Sequence, residues 1–437
     1  MRGGLGLRRW LCGGLLWGLC CGAGASLQLQ GDRASLKVTE QTLVSVLELF
    51  EAYGVEVVLD PALEMERVSG NWQRIEVDRL VEQLAHPHDY VVGWRRLNTP
   101  LGALDQVSRI VIMGEGALDD EPVSRRKRRT LDVVQAEDGS HHIRGEILVG
   151  FEEGSTIAEL KELLRAVNGT VLEVIDPPGL YRIRVSDEMS VEEALAKARL
   201  SRGVSEAEPN RAFSNDDLPV VSLSGTPSGV NLNLPAGERA IAVFDSGIDP
   251  VYQNLPFMLT AYNAIDPGAA VDDPTGHGTL VSMIAAGAVV PEGRPPNEES
   301  VRVLPVALFD ANGWTSSEAL FSAINYALDQ GVRDFNWSFG TDDRIPFFEE
   351  AIHQAVDRGA RIYISSGNEG AEGSVYPASS PLTISIGSEG PDGVAPWSNY
   401  GDDVDAYYPG KVYFNGKWYY GTSFSAPLAA YLNELRD

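Results

Sequence analysis

Two short apolar runs in the C-terminal half of the chain indicate how that half folds. Residues 241–244 read Ile-Ala-Val-Phe and lead into Asp245. Residues 362–364 read Ile-Tyr-Ile and lead into Ser-Ser-Gly-Asn at 365–368. Runs without polar interruption are typical of parallel strands that are covered on both faces, and the polar residues after them lie at the carboxyl edge of the sheet, where α/β folds carry their sites. We therefore expect an α/β domain built on a parallel sheet with helices on both faces.

Length, composition and charge narrow the class of protein. The chain has 437 residues, of which 43% are hydrophobic and 22% are charged, as in ordinary globular proteins. At roughly 100–200 residues per domain, two or three separately packed domains are expected. The formal net charge is −27, from 35 Lys and Arg against 62 Asp and Glu. Because phosphate binding needs a positive field, nucleic acid is excluded as the main partner.

The first 25 residues have the pattern of an export signal. Arginines precede an apolar run at 10–21, which is followed by Ala-Gly-Ala at 23–25. The run is shorter than the ~20 residues that cross a bilayer, so we expect cleavage of residues 1–25 rather than an anchor. All three cysteines lie in this segment, so the processed protein would contain no disulfide and no thiolate metal site. The expected location is periplasmic or secreted.

Residues 34–114 are predicted to form a small α/β domain, in the order strand, helix, strand, strand, helix, strand, strand. Apolar residues recur at helical spacing over 43–53, and Gly54 is suited to end that helix. The text SLKVTEQTLVSVLELFEAYGVEVVLDP, followed by VDRLVEQLA and YVVGW, resembles the short N-terminal domain of secretins and TonB-dependent receptors. The resemblance implies a partner in the cell envelope. A small α/β spacer is the alternative.

Residues 115–142 are predicted to be a charged linker. The linker contains Arg-Arg-Lys-Arg-Arg at 125–129, after a short acidic run. Basic runs are usually solvated, and in an exposed linker they are also places where chains are cut. Both interpretations remain open for this segment.

Residues 143–213 show a second α/β pattern. Its predicted elements are strands at 147–151, 171–175, 181–185 and 204–209 and helices at 156–167 and 191–200. The order strand, helix, strand, strand, helix, strand predicts an antiparallel, ferredoxin-like α+β sheet. The segment contains no set of residues with catalytic chemistry.

Four polar residues in the last predicted domain, residues 214–437, fit one chemical mechanism. Asp245 follows the first apolar run, and His277 lies between glycines where a helix begins. Asn368 lies in the loop after the second run, and Ser423 precedes a predicted helix. A carboxylate, an imidazole and a hydroxyl can form a nucleophilic triad, and an amide can donate to an oxyanion. Each residue alone also has an ordinary structural explanation, as a cap, a packed side chain or a turn former.

His277 is the histidine that fits a general base. Two of the six histidines lie in the charged linker, two lie in the first α/β domain, and His353 lies on a charged helical face. The base of the proposed chemistry is therefore assigned to His277.

Together these segments resemble the subtilisin-like serine peptidases, the subtilase family. The matching motifs are DSGI at 245–248, GHGT at 276–279, GNEG at 367–370 and GTSFSAP at 421–427. They follow one another in the family's order of Asp, His, Asn and Ser. NWSFG at 336–340 resembles the family's substrate-binding strand. The resemblance implies a subtilisin-like fold for this domain.

The resemblance also implies a role for each residue. Ser423 is the expected nucleophile, His277 the base that accepts its proton, and Asp245 the group that orients and stabilises the imidazole. Asn368 and the backbone N–H of Ser423 are expected to bind the oxyanion. The residues expected to contact substrate are Ser338, Phe339, Gly340, Ser366 and Gly367.

Residues 143–213 resemble the inhibitor-type propeptide of the same family. We therefore predict an exported, zymogen-type serine endopeptidase that acts on protein or peptide substrates through an acyl-enzyme. Its own propeptide would be its intramolecular inhibitor, with self-processing between residues 209 and 220. This chemistry requires no cofactor; the family and the many carboxylates allow calcium, but no ligand spacing locates a metal site. The alternative is a catalytically silent cell-envelope protein that binds peptides in a peptidase-like cleft.

Overall fold

A computed structural model describes most of the chain and divides it into two units. The described residues are 25–113, 130–176, 179–214, 220–223, 230–231, 238–341 and 346–435. One unit comprises residues 1–98 with 103–122, and the other comprises 99–102 with 123–437. Almost all of the predicted export signal, the basic run at 125–129 and residues 215–219 of the predicted processing segment therefore lie outside the described residues. Among the described residues, no helix is long and apolar enough to span a bilayer.

The first unit contains two three-stranded sheets, in the orders β1-β2-β4 and β3-β6-β5. Its elements are β1 (Ala25–Gln30), β2 (Arg33–Thr42), α1 (Leu43–Glu51), β3 (Glu56–Leu59), β4 (Arg67–Glu76), α2 (Val77–Ala85), β5 (Asp89–Thr99) and β6 (Gly102–Met113). From β2 onward the order is the predicted one, and β1 adds a strand that the sequence pattern did not indicate. Helix α1 begins where the Thr42 side chain accepts the backbone N–H of Ser45, and Gly54 follows it with a φ of 72°.

The second unit begins with an antiparallel sheet, which we call the antiparallel region (residues 130–214). Its elements are β7 (Val133–Gln135), β8 (His141–Phe151), α3 (Ile157–Ala166), β9 (Thr170–Ile175), β10 (Leu180–Arg184), α4 (Val191–Arg199) and β11 (Val204–Ser214). The strands are ordered β11-β8-β10-β9, with β7 also on β8. The predicted alternation of strands and helices is observed. Strand β11, however, runs past the predicted end at 209 to Ser214.

Residues 238–341 and 346–435 form what we call the parallel region. Its elements are β12 (Ala240–Asp245), β13 (Tyr262–Asn263), α5 (His277–Ala285), β14 (Arg302–Ala307), β15 (Trp314–Ser316), α6 (Ser317–Asp329), β16 (Asp334–Trp337), α7 (Pro346–Asp357), β17 (Arg361–Ser365), β18 (Ile384–Gly390), β19 (Gly393–Val394), β20 (Ala406–Pro409), β21 (Lys411–Phe414), β22 (Lys417–Tyr420) and α8 (Thr422–Glu434). The main sheet is ordered β13-β14-β12-β16-β17-β18, and β20 extends it on β18. All of these pairs are parallel. The short strand β19 pairs antiparallel with β18.

Helices cover both faces of the main sheet, as the alternation of side chains along β12 shows. Ile241 and Val243 join one buried cluster with residues of α5 and α8. Ala242 and Phe244 join another with residues of α6 and α7. Successive strand residues point to opposite faces, so a strand buried on both sides must be apolar at every position. The predicted α/β fold class is confirmed.

Candidate active site

The carboxyl edge of the main sheet gathers the predicted site residues. Asp245 is the last residue of β12, Ser338 follows β16, and Ser366 follows β17. His277 is the first residue of α5, and Ser423 is the second residue of α8. Strands that run parallel bring their last residues to one edge, which explains how segments far apart in sequence meet here.

Asp245 and His277 form a buried hydrogen-bonded pair. His277 Nδ1 lies 2.8 Å from Asp245 Oδ1 and 3.0 Å from Oδ2, and neither residue is more than 1% exposed. Asp245 Oδ1 also accepts the backbone N–H of Ser246 at 2.8 Å. A carboxylate at this distance requires Nδ1 to carry a proton, which leaves Nε2 as the basic nitrogen of a neutral imidazole.

Gly278 explains how α5 comes close enough for this pair to form. A Cβ atom at residue 278 would lie 2.4 Å from the carbonyl oxygen of Gly247 and 2.8 Å from its nitrogen. A side chain there would therefore push the start of α5 away from the end of β12. The Gly278 N–H donates to Ser246 Oγ at 3.0 Å, so this close approach is also hydrogen-bonded.

Asp273, which the sequence analysis missed, fixes the start of α5. Its carboxylate accepts the N–H of Gly276 at 2.8 Å, the N–H of Thr279 at 2.7 Å and the Thr279 hydroxyl at 2.6 Å. It also accepts the Ser246 hydroxyl at 2.8 Å, and it is 8% exposed. A negative charge at a helix N-terminus satisfies N–H groups that have no partner within the helix. The signal that could have revealed it is an Asp just ahead of a predicted helix start.

Ser423 lies in the first turn of α8, close to the loop after β16. It is 6% exposed, and its Oγ lies 3.4 Å from the carbonyl oxygen of Ser338, whose Oγ donates to the Ser423 carbonyl at 2.9 Å. Among the described residues, His277 Nε2 is buried and has no hydrogen-bond partner. The serine–imidazole hydrogen bond is thus not formed here. Enzymes often close such contacts only around a bound substrate.

Asn368 is exposed in the loop after β17, and its amide orientation is set by Thr422. Asn368 Oδ1 accepts the Thr422 N–H at 2.8 Å and the Thr422 hydroxyl at 3.1 Å. A backbone N–H can only donate, so the amide oxygen must face Thr422. The Nδ2 group is then available to donate.

The predicted substrate-binding residues occupy two neighbouring loops. Ser338 and Ser366 are buried, and Phe339 is packed among aromatic rings. Gly340 and Gly367 both face Val375: an added Cβ would lie 2.5 Å from its Cγ2 in one case and 2.9 Å from its Cγ1 in the other. Val375 therefore lies between the two glycine-containing loops, a position that the sequence analysis did not identify.

Strand β11 of the antiparallel region reaches this part of the molecule. It pairs antiparallel with β15 through Ala212 and Ser316, Phe213 and Thr315, and Ser214 and Trp314. The Phe213 ring centroid is 4.5 Å from that of Phe348, 6.2 Å from Phe339 and 6.1 Å from Phe309. The chain thus places one of its own buried aromatic rings against Phe339, a predicted substrate-binding residue.

No metal centre is found in the described part of the chain. No group of three or more His, Cys, Asp or Glu side chains there is arranged to hold a metal ion. The calcium that the family resemblance allows has no located site, and independence from a cofactor stays a prediction.

Two family models match the second unit. Residues 237–433 match the Subtilase family, and residues 128–210 match the Fervidolysin N-terminal prodomain. The fold, the site geometry and the family match agree in making residues 237–433 similar to subtilisin-like serine peptidase domains. The predicted subtilisin-like domain and its prodomain-type neighbour are confirmed, whereas the secretin-like interpretation of residues 34–114 stays a prediction.

Curated relatives and solved structures agree with this class. The chain is 32% identical over 204 residues to the cell wall-associated protease of Bacillus subtilis (strain 168), covering 44% of this chain but 23% of that protein. It is 24% identical over 308 residues to the M-protease of Shouchella clausii (strain KSM-K16), covering 65% and 78% of the two chains. The crystal structure of fervidolysin from Fervidobacterium pennivorans, a keratinolytic enzyme related to subtilisin, superposes with a TM-score of 0.53 at 20% identity, over 73% of this chain and 59% of that one. This last likeness concerns the fold.

Proposed function

We propose that the chain is an exported serine endopeptidase, made as a zymogen, that hydrolyses peptide bonds through Asp245, His277 and Ser423. The observation that carries the proposal is the buried Asp245–His277 pair, at 2.8 Å, on the same sheet edge as a serine in the first turn of a helix. A buried imidazole that a carboxylate holds in one tautomer is the kind of base that activates a weak nucleophile such as a serine hydroxyl.

The mechanism begins with proton transfer. His277 Nε2 takes the hydroxyl proton of Ser423 as Oγ bonds to the peptide carbonyl carbon, and Asp245 stabilises the imidazolium that results. The negative charge on the former carbonyl oxygen is met by Asn368 Nδ2–H and by the Ser423 backbone N–H, which has no partner within α8.

Collapse of this intermediate breaks the peptide bond. His277 returns the proton to the leaving amine, and the acyl group remains on Ser423 as an ester. Water then attacks the ester with His277 again as base, which releases the second product and restores the hydroxyl. Every step uses groups of this chain and water.

The packing of β11 supports the zymogen part of the proposal. Phe213 lies against Phe339, and β11 pairs with β15, so the antiparallel region occupies surface next to the predicted substrate site. We propose that this region inhibits the enzyme until the chain cuts itself between residues 209 and 220. Of that segment, residues 215–219 lie outside the described residues.

A fluorophosphonate probe tests the assignment of Ser423, because only an activated serine reacts with it. The processed wild-type protein should be labelled on Ser423, and Ser423→Ala should be neither labelled nor self-processed in a protease-deficient host. Cleavage of Ser423→Ala at the same position would show that another protease does the cutting. A folded wild-type protein that takes no label would favour the catalytically silent peptide-binding protein.

We also propose export to the periplasm or medium and an envelope partner for the first unit. The signal-like pattern at residues 1–25 and the resemblance of residues 34–114 support these assignments. N-terminal sequencing of the exported product tests the first. Deletion of residues 26–113 tests the second: it should move activity from the envelope fraction to the soluble one without lowering it.

A further inference from the structure

A buried arginine and a buried glutamate meet where β10 of the antiparallel region contacts the first turn of α6. Arg182 Nη1 lies 3.0 Å from Glu318 Oε2, and the two side chains are 8% and 2% exposed. Arg182 lies within the prodomain match and Glu318 within the Subtilase match. The pair therefore joins two parts of the chain that self-processing would separate.

Two more carboxylates face the same guanidinium, and both belong to the antiparallel region. Glu173 lies 3.2 Å from Arg182 Nη2, and Glu146 lies 3.7 Å from Nη1. Burial by itself lowers the pKa of the Arg182 guanidinium, but attraction by Glu318, Glu146 and Glu173 outweighs burial and raises this pKa. A neutral side chain at residue 182 would leave these carboxylates without their shared cation.

Asn210 is a second side chain of the antiparallel region that reaches this turn. It is fully buried, its Oδ1 accepts the backbone N–H of Glu318 at 3.3 Å, and its Nδ2 donates to Glu146 Oε2 at 2.8 Å. N–H groups in the first turn of a helix have no partner within the helix. The contact is therefore a specific polar one that uses both the backbone and the side chain of Glu318.

Separation of the two regions affects the two members of the pair differently. Arg182 keeps Glu146 and Glu173 beside it, because all three belong to the antiparallel sheet. Glu318 stays on the parallel region and loses the guanidinium. A carboxylate buried without its cation is strongly unfavourable. A prodomain without a cation at this position would have to bury Glu318 uncompensated.

We propose that Glu318 is the residue by which the parallel region selects its own prodomain, with Arg182 as the cation that is selected. The proposal rests on the proposed zymogen function and names the contact that gives the inhibitor its specificity. The partner is defined chemically as a guanidinium presented by a strand of an antiparallel sheet.

Hydrogen exchange in the full-length Ser423→Ala chain tests the contact without requiring activity. Glu318→Gln should raise the exchange rates of the amides that pair β11 with β15 at least tenfold, while amides of β12 keep their protection. Asp329→Asn is the matched control, since it removes an exposed carboxylate from the last turn of the same helix, and it should change the rates less than twofold. Equal exchange in the two variants would overturn the proposal.

A second pair of variants separates the contact from general destabilisation. Arg182→Met should also speed exchange at β11 and β15, and its effect should be less than additive with that of Glu318→Gln, because both substitutions remove the same Arg182–Glu318 interaction. Fully additive effects would overturn the proposal. If Arg182→Met does not fold, Arg182→Lys, which keeps the charge, replaces it and should speed exchange less than Glu318→Gln does.

The active chain gives a readout that also tests the proposed function separately. Glu318→Gln should shorten the lag before peptide hydrolysis at least fivefold and leave kcat/KM of the released enzyme unchanged. An unchanged lag in an active enzyme would overturn the selection role of Glu318. Absence of fluorophosphonate labelling in every variant would instead overturn the peptidase assignment, and hydrogen exchange would still decide the role of Glu318.

Discussion

The two ends of the Asn368 amide have different surroundings. Oδ1 is engaged by Thr422, and among the described residues no hydrogen bond uses Nδ2. An amide held by its oxygen is oriented before the reaction begins, so it can stabilise charge without reorganisation. Because Oδ1 contacts Thr422, a substitution of Asn368 can remove the donor, the contact that orients the loop, or both.

Asn368→Leu should lower kcat by ~10²–10³ with KM little changed, since the donor acts on charge that develops in the transition state; the size of this effect is known from subtilisin itself. Asn368→Asp keeps an acceptor for Thr422, loses the amide donor, and should show a similar fall. Thr422→Val, which removes only a hydroxyl bonded to Oδ1, should cost less than tenfold. Steady-state kinetics on a peptide substrate would measure all three, and normal kcat in a folded Asn368→Asp protein would contradict the oxyanion role.

We expect Asp273 to be a positioning residue, because it reaches the proposed base through the start of α5 and through Ser246. In Asp273→Asn, an amide NH₂ must face N–H groups that need an acceptor, so the free energy of unfolding should fall by about 2 kcal/mol. The kcat value should fall as His277 shifts, while the pH dependence of kcat keeps its shape because the base is unchanged. Denaturant unfolding and a pH–rate profile measure these effects. Asp402→Asn, at an exposed residue, is the control. A pH profile that only Asp273→Asn alters would indicate a more direct catalytic role for Asp273.

At the scale of elements, the end of α8 is tied to the amino edge of the main sheet. Arg361 at the start of β17 binds Asp334 at the start of β16 at 2.7–2.8 Å and Glu434 of α8 at 2.6 Å. Burial and the neighbouring Asp334 raise the pKa of Glu434 to about 7. Glu434 therefore still holds a proton in part of the molecules near neutral pH.

This raised pKa predicts a pH dependence of stability with a definite sign. The folded chain binds the Glu434 proton more tightly than the unfolded chain, so this site stabilises the fold fully below about pH 4.5 and loses that contribution as the pH rises through about 7. The loss should amount to about 2–3 kcal/mol. Urea unfolding of Ser423→Ala protein between pH 4.5 and 8 should show this loss, and Glu434→Gln should abolish it. An identical slope in Glu434→Gln would contradict the assignment.

The pairing of β11 with β15 predicts the effect of removing the Phe213 ring. Phe213 is 7% exposed among Phe309, Phe339 and Phe348. Truncating such a ring costs ~3–5 kcal/mol, so Phe213→Ala should weaken the inhibitory contact and shorten the lag before activity appears. Leu200→Ala is the control, because Leu200 is 88% exposed in the same region. A lag as long as that of wild type would place the inhibitory contact elsewhere.

At the scale of the whole molecule, the main sheet is built from pairings that are distant in sequence. Strand β12 ends at Asp245 and pairs with β14, which begins at Arg302, and with β16, which begins at Asp334. Such pairings form slowly, because loops must close before the contacts stabilise them. If the antiparallel region holds α6 and β15 in place early in folding, it would speed formation of the main sheet.

A chain without residues 130–214 should therefore refold at least tenfold more slowly than the full chain, with the same final fold. Recovery of near-ultraviolet circular dichroism after dilution from denaturant, in the Ser423→Ala background, measures the rate. A deletion of residues 26–113 serves as a control of similar length and should leave the rate nearly unchanged. Equal rates for the two deletions would assign no folding role to the antiparallel region.

The sequence predicted those features that are encoded locally. The apolar run before Asp245, the glycines around His277 and the order of the motifs were sufficient to predict the parallel sheet and its subtilisin-like class. The extension of β11 to Ser214 was missed, because its pairing with β15 joins residues about a hundred positions apart. Asp273 was missed for a related reason. Its contacts are hydrogen bonds to α5 and to Ser246, which no periodic pattern in the sequence indicates.

The pairing of β11 with β15 has a further consequence if the chain is cut after Ser214, within the predicted processing segment 209–220. Before the cut, the proposed inhibition is intramolecular, and its strength is independent of how much protein is present. After the cut, the same strand pairing becomes a bimolecular equilibrium, and the high effective concentration that the covalent connection provided is lost. An enzyme released from a cell is diluted as it is released. Dilution alone would then favour the free, active form outside the cell and the inhibited form where the protein is made.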